Sequence, residues 1–264
     1  MNIREMDMRK PDVMEGVTKD ELIKCFRSLG IKNGSVLEVH SSLSSFGYVE
    51  GGADTVIEAL IASVGEEGSI FMPALRLSPG LPLTEEDRSV GITSKIKILP
   101  EDRDRSAMGV IADTFRKRND TVNGDGIMQI AGWGKHAQEP VKDGLDYVIK
   151  NNGMALLLGV DIYKLTAMHY VENCMPKEIG DIFAPSDEVN ALYPPEEWFV
   201  EQGEPPVKAW YTIQRKAYEQ GMIRDGYIGS CKYMYFNVND VISIYEKELL
   251  ERPFALYGVK VDES

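Results

Sequence analysis

His169 and Glu172 stand three residues apart in the segment Thr166-Ala-Met-His-Tyr-Val-Glu172, just past the apolar run Met154 to Val160. On a helix that offset sets both side chains on one face. An imidazole beside a carboxylate is the arrangement of a general base with its orienting partner. The chain holds three histidines, and histidine is the side chain that most readily exchanges a proton near neutral pH. Asp161, nearer the end of the apolar run, is a second carboxylate able to orient the ring. An isolated His-x-x-Glu pair also occurs as an ordinary solvated helix pair, so the reading needs a second motif beside it.

That motif is Val36-Leu-Glu-Val-His40-Ser-Ser-Leu-Ser-Ser-Phe-Gly47, followed by Gly51-Gly52. It reads as a strand over residues 36–40, a polar loop, and a helix whose Val56, Ile57, Leu60, Ile61 and Val64 recur at helical spacing. The loop is a candidate ligand cradle. Gly47, Gly51 and Gly52 let the backbone approach a ligand closely, and hydroxyls with helix-start amides can receive phosphate oxygens. Neither a G-K-[ST] phosphate loop nor a G-x-G-x-x-G fingerprint is present.

The elements that must position these groups alternate along the chain. Thr18-x-x-Glu21 predicts a capping box before Leu22, Ile23 and Phe26, with Gly30 near the stop. A helix over 53–64 ends at Gly65, and Ser69 to Met72 form a short buried strand. Residues 76–104, rich in Pro, Gly and charge, read as a loop-rich surface excursion that shapes a pocket. Ser106 is placed to cap a helix reaching Arg116. Met154 to Val160 is the most apolar strand, and Asn237 or Asn239 begins a last helix with Val241, Ile242, Tyr245 and Leu249 facing inward.

Strands alternating with helices predict an α/β fold, a mostly parallel central sheet flanked by helices, whose ligands sit beyond the carboxyl ends of the strands. His40 and Asp161 fall at such ends. The texture changes after Pro176, where prolines and the aromatic residues Trp198, Phe199, Trp210, Tyr211 and Tyr218 break the alternation. Residues 1–264 are read as a single domain, with 176–236 as a loop-rich, substrate-covering insertion or lid; aromatic density of this kind also marks core or interface.

With 29 basic and 42 acidic residues the net charge is −13. This argues against binding a phosphate backbone, hence against a nucleic-acid partner. It suits a cationic small molecule, as it suits solubility alone. Cys25, Cys174 and Cys231 are odd in number and lack C-x-x-C spacing, so neither a disulfide framework nor a metal site is indicated and a reducing cytoplasm is expected. No apolar run approaches the roughly 18 residues of a membrane span, and the polar start lacks a signal-like core. A homo-oligomer stays open.

Several blocks, in this order, resemble the aminoglycoside 3-N-acetyltransferase family: His40 to Gly47 with Gly51-Gly52-Ala53, Gly68 to Pro73, Met108-Gly109, Trp133 to Ala137, and Leu156 to Val160 through Thr166-x-x-His169-x-x-Glu172. The resemblance covers residues 18–175 or so. It implies transfer of acetyl from acetyl-CoA, without a metal, to an amine of an aminoglycoside or related amino sugar. It further implies His169 as general base with Glu172 or Asp161 orienting it. CoA would be held by His40, Ser41, Ser42, Leu43, Ser44, Phe46, Gly47 and Gly52, with Met72 and Pro73. Residues 122–132 depart from the family pattern: an Arg, a His, a Pro and a Ser usual there are replaced, and Met128 stands among the substitutes. Tyr163 occupies the place of a usual acidic residue. These departures motivate an alternative, a catalytically inactive CoA- or amine-binding homologue. A serine-hydrolase reading, with Ser41 or Ser44 and His169, lacks the G-x-S-x-G elbow.

Overall fold

The computed structural model describes residues 16–203 and 207–259. Helix Lys19–Ser28 opens on the predicted capping box: Glu21 N–H donates to the Thr18 hydroxyl (3.3 Å) and Thr18 N–H to the Glu21 carboxylate (2.8 Å). The strands are β1 (Val36–Ser41), β2 (Ser69–Pro73), β3 (Ile92–Lys97), β4 (Val122–Asn123), β5 (Ile130–Gly134), β6 (Met154–Leu158), β7 (Trp198–Gln202), β8 (Arg224–Ile228) and β9 (Cys231–Asn237).

Seven strands form one sheet in the order β4-β5-β2-β1-β6-β9-β8. The centre is parallel, with β1 between β2 and β6. The flanks pair antiparallel, β5 with β2 and β4 on one side and β9 with β6 and β8 on the other. The α/β class therefore holds, while the parallel character is confined to the three central strands. Short connections dictate the outermost pairings: β4 runs to β5 through residues 124–129 and β8 to β9 through the Gly229-Ser230 turn, with Gly229 at φ +57°, and parallel strands need a much longer crossover.

Alternation along each strand divides the interior in two. On β6, Leu156 and Leu158 face the helices Lys19–Ser28, Gly52–Val64 and Val110–Arg116, whereas Ala155 and Leu157 face Met168–Glu172, Val207–Glu219 and Val238–Glu251. On β1, Leu37 and Val39 join the first cluster. By the same alternation Glu38 and His40 point to the second face, beneath the segment that carries His169.

Residues 76–104 contain more than loop: a short helix, Glu85–Ser89, and β3, which pairs with β7 into a separate two-stranded arm. A buried ion pair, Lys95 to Asp87 at 2.6 Å, braces this arm, and the Tyr193 hydroxyl donates to the same carboxylate. The helix expected after Ser106 begins later, at Val110 with Gly109 at its cap. Ser106 instead donates its N–H and hydroxyl to the Asp113 carboxylate (2.7 and 3.0 Å), because a buried carboxylate in the first turn is the stronger acceptor. Segment 176–236 holds helices Lys177–Phe183, Asp187–Leu192 and Val207–Glu219 together with β7, β8 and most of β9.

Candidate active site

The three parallel strands end on one side of the sheet, and there they open on a cavity of about 450 Å³. Pro73 from β2, His40 and Ser41 from β1, and Val160 just past β6 form its floor. Ser94, Ile96, Phe199, Val200 and Glu201 of the β3–β7 arm face it, and His169, Glu172 and Trp210 close a third side.

Helix Met168–Glu172 is five residues long, so its position depends on tertiary contacts more than on its own hydrogen bonds. His169 Nδ1 lies 2.6 Å from Glu172 Oε2. Glu172 Oε1 accepts from the Trp210 indole N–H at 2.8 Å and from the Tyr245 hydroxyl at 3.5 Å. Burial, reinforced by the negative charge of Glu172, pushes the Tyr245 phenol far up, and its neighbour Tyr257 is pushed up to about 12. Tyr245 therefore stays protonated as a donor. The Trp210 ring meets the imidazole edge-on, with centroids 5.0 Å apart. Both carboxylate oxygens are thus engaged, and with Nδ1–H given to Glu172 the imidazole keeps Nε2 as its acceptor nitrogen. The His169 side chain is 51% exposed, enough to exchange a proton with a ligand.

A second imidazole–carboxylate pair lies beneath the first. His40 Nε2 is 2.8 Å from Glu38 Oε1, with side chains 4% and 1% exposed. Ala167 N–H donates to the same carboxylate oxygen (3.1 Å), and Thr166 N–H approaches His40 Nε2 at 3.3 Å. One ring nitrogen cannot donate and accept together, so the carboxylate and the amide compete for it. The pair clips the residues immediately before the His169 helix to β1.

Of the residues predicted from sequence, the structure brings His169, Glu172, His40, Ser41 and Pro73 to one cavity. Asp161 is engaged elsewhere: it accepts from Tyr163 N–H at 3.0 Å, capping a short turn, and pairs with Tyr211. Ser42, Leu43, Ser44 and Gly47 lie in the connection after β1, where the Ser42 and Ser44 hydroxyls bond each other at 3.1 Å, and Gly52 opens the next helix, all outside the cavity lining. Phe46 and Met72 are core residues. Gly159 seats this loop against β6: at φ +71° it is in the left-handed region, and a Cβ there would run into Ser45.

Sequence reasoning missed Trp210 as a partner of Glu172, Glu201 as a cavity carboxylate, and Glu38. The last had a signal, an acid inside an otherwise apolar strand.

Comparison with known proteins gives this geometry a context. The profile of the family described as aminoglycoside 3-N-acetyltransferase matches residues 39–249. The SPbeta prophage-derived aminoglycoside N(3')-acetyltransferase-like protein YokD of Bacillus subtilis (strain 168) is 34% identical over 188 residues, 60% of this chain and 66% of the relative. Aminoglycoside N(3)-acetyltransferase III of Salmonella sp is 25% identical over 86% of this chain and 89% of its own length. Among solved structures, the aminoglycoside acetyltransferase AAC(3)-IVa apoenzyme superposes with a TM-score of 0.65 at 22% identity, covering 91% of each chain. AAC-IIIb, solved as a binary complex with CoASH, gives 0.64 at 19% identity, covering 89% of this chain and 97% of that one. At those identities the structural likeness is one of fold. The profile, by contrast, begins at the end of β1, reaches into the last long helix and takes in every residue that lines the cavity, and this chain belongs to the aminoglycoside 3-N-acetyltransferase family.

Proposed function

We propose that the protein transfers acetyl from acetyl-CoA to an amine, with His169 as general base. The observation that carries this reading is the web at the strand ends, in which Trp210 and Tyr245 hold Glu172, and Glu172 holds His169 Nδ1. The AAC-IIIb relative binds CoASH and the AAC(3)-IVa relative binds a gentamicin and apramycin, which supports CoA as cosubstrate and an amine as acceptor.

The residues present fit such a group. The Ser41 hydroxyl is buried at the cavity floor and has no hydrogen-bond partner among the described residues, so it is free to bond a carbonyl or amide of a pantetheine arm. His40 and Pro73 flank it. When bound, the thioester supplies an already activated acetyl carbonyl. The protein's part is to orient the amine and remove its proton. His169 Nε2 accepts that proton, and Glu172 balances the charge on the imidazolium. Because Glu172 is fixed by two ring donors, the imidazole is held in one tautomer before the amine arrives. Phe199, Val200, Glu201 and Trp210, all from segment 176–236, cover the cavity, and we assign β7 and helix Val207–Glu219 the role of substrate cover within a single domain, while β8 and β9 of the same segment belong to the central sheet.

Three thiols suit a reducing compartment, so the cytoplasm is the proposed location; among the described residues no helix is long and apolar enough to cross a membrane. The excess of acidic residues argues against a nucleic-acid partner. Release of CoA thiol from acetyl-CoA across a panel of amines, with His169→Ala alongside, tests the reading. The variant should lose turnover while its affinity for acetyl-CoA stays within about threefold, since the base is not a phosphate contact. Acetyl-CoA binding with no turnover on any amine would transfer the protein to the inactive, binding class.

A further inference from the structure

The charge inside the cavity differs from the charge of the whole chain. The net charge of −13 draws cations of any size, but that long-range attraction is screened by salt and gives no fixed partner to a bound ammonium. Fixed partners are the carboxylates of the wall, and these are Glu172 and Glu201. Glu172 has both oxygens committed to His169 and Trp210. That leaves Glu201, on the arm strand β7 opposite Ser94. Burial pushes its carboxyl up, with Ser94 partly opposing the shift, so its ionised form gains most when a cation enters beside it.

The rest of the wall is hostile to further positive charge. Lys164 lines the same cavity, and a protonated His169 adds a second cation during turnover. Leu75, Leu77, Ile96, Met108, Met128 and Phe199 present hydrocarbon, sulfur and ring surface. Met128 comes from residues 122–132. An ammonium taken from water into such a wall without a carboxylate beside it is strongly disfavoured, whereas an apolar or aromatic body gains from the same surface.

The geometry points to an acceptor that carries a single ammonium group on an apolar or aromatic body, selected by Glu201, in preference to a polycationic aminoglycoside. This rests on the acetyltransferase reading given above. The transfer forms the amide C–N bond as the thioester C–S bond breaks; the bound ammonium first releases one proton to solvent to become the attacking amine, and the second passes to His169 during attack and from it to the departing thiolate, so CoA leaves as the thiol.

The test compares kcat/KM for 2-phenylethylamine, benzyl 2-amino-2-deoxyglucoside and gentamicin by CoA thiol release, with acetyl-CoA binding followed by calorimetry. One or both monoamines should exceed gentamicin by at least about tenfold, the discrimination expected when extra buried charge goes unpaired. Glu201→Gln should lower kcat/KM for the preferred monoamine about tenfold, the loss of one charge-assisted hydrogen bond, with acetyl-CoA affinity unchanged. Met128 is half exposed and tolerates a carboxylate, so Met128→Glu should raise turnover of gentamicin about fivefold relative to the monoamines. Equal or faster turnover of gentamicin by the native protein overturns the inference and leaves the acetyltransferase reading intact. So does an unaltered monoamine kcat/KM in Glu201→Gln. Silence with all three amines while acetyl-CoA binds overturns it too, and failure to bind acetyl-CoA removes the parent reading with it.

Discussion

The end of β1 and the helix Met168–Glu172 each present an imidazole held by a carboxylate, 2.8 Å apart in one and 2.6 Å in the other, and both rings reach one cavity. They differ in what else they touch. Glu38 and His40 are nearly sealed from solvent, and the backbone amides of Ala167 and Thr166 close on the same carboxylate oxygen and ring nitrogen that face each other. His169 is half exposed, and its partner is held by two aromatic side chains instead. The same pair of functional groups is thus a clip where it is buried and backbone-bound and, on the mechanism proposed above, a proton-exchange site where one ring nitrogen is left to the ligand. Chemistry alone does not separate the two; surroundings do.

The sharpest way to break that contrast is to remove each pair in turn. His169→Ala should cut kcat about 1,000-fold, within the range of a lost general base, while a half-exposed position leaves stability within about 0.5 kcal/mol. Glu38→Ala should do the reverse in emphasis. It strands a buried imidazole and an amide, so denaturant titration should show a loss of about 3 kcal/mol. If Glu38→Ala instead kept full stability and lost turnover as completely as His169→Ala, the two roles assigned here would have to be exchanged.

The buried Lys95–Asp87 pair of the arm extends the comparison to a site outside the cavity. Lys95 first, and the Tyr193 hydroxyl second, hold the Asp87 carboxyl well below the usual carboxylate range. A folded-state pKa below the unfolded one means stabilisation that is present above about pH 4, the unfolded value, and is lost as pH falls below it. Asp87→Asn should cost about 2 kcal/mol near neutrality, the scale of a hydrogen bond to a charged group. Its melting temperature should also fall less steeply than that of the native protein between neutral pH and pH 3.

The smallest effect is expected from Trp210→Phe. It keeps a ring against His169 but deletes the donor to Glu172, so kcat should fall about tenfold with KM nearly unchanged. The acid limb of the kcat profile should move as well, which lost packing alone would not produce.

What the sequence made legible follows from range. The Thr18–Glu21 box, the strand before His40, the helix ending at Gly65 and the His169–Glu172 offset are all encoded within a few residues, and each is where the spacing put it. The inward stripe of the last helix, Val241, Ile242, Tyr245 and Leu249, is buried as its period required. Contacts across long separations were not legible. Trp210 meets Glu172 over 38 positions, and β3 finds β7 across a hundred or so; no local period carries either. Pairing direction was equally silent, since an apolar run such as β9 reads alike whether its neighbour is parallel or antiparallel. Ser106 misled for a related reason: it has the right residue type for a cap, but Asp113, seven residues further on, offered a better acceptor.

The edge-on contact between Trp210 and His169 has an optical consequence. A positively charged imidazole against an indole quenches its emission by withdrawing excited-state electron density, whereas the neutral ring does so weakly. Trp133, Trp198 and Trp210 are the three tryptophans of the chain, and Trp210 has His169 at its edge. The difference in fluorescence between the native protein and Trp210→Phe therefore reads, without any added label, whether the ring beside it carries its proton.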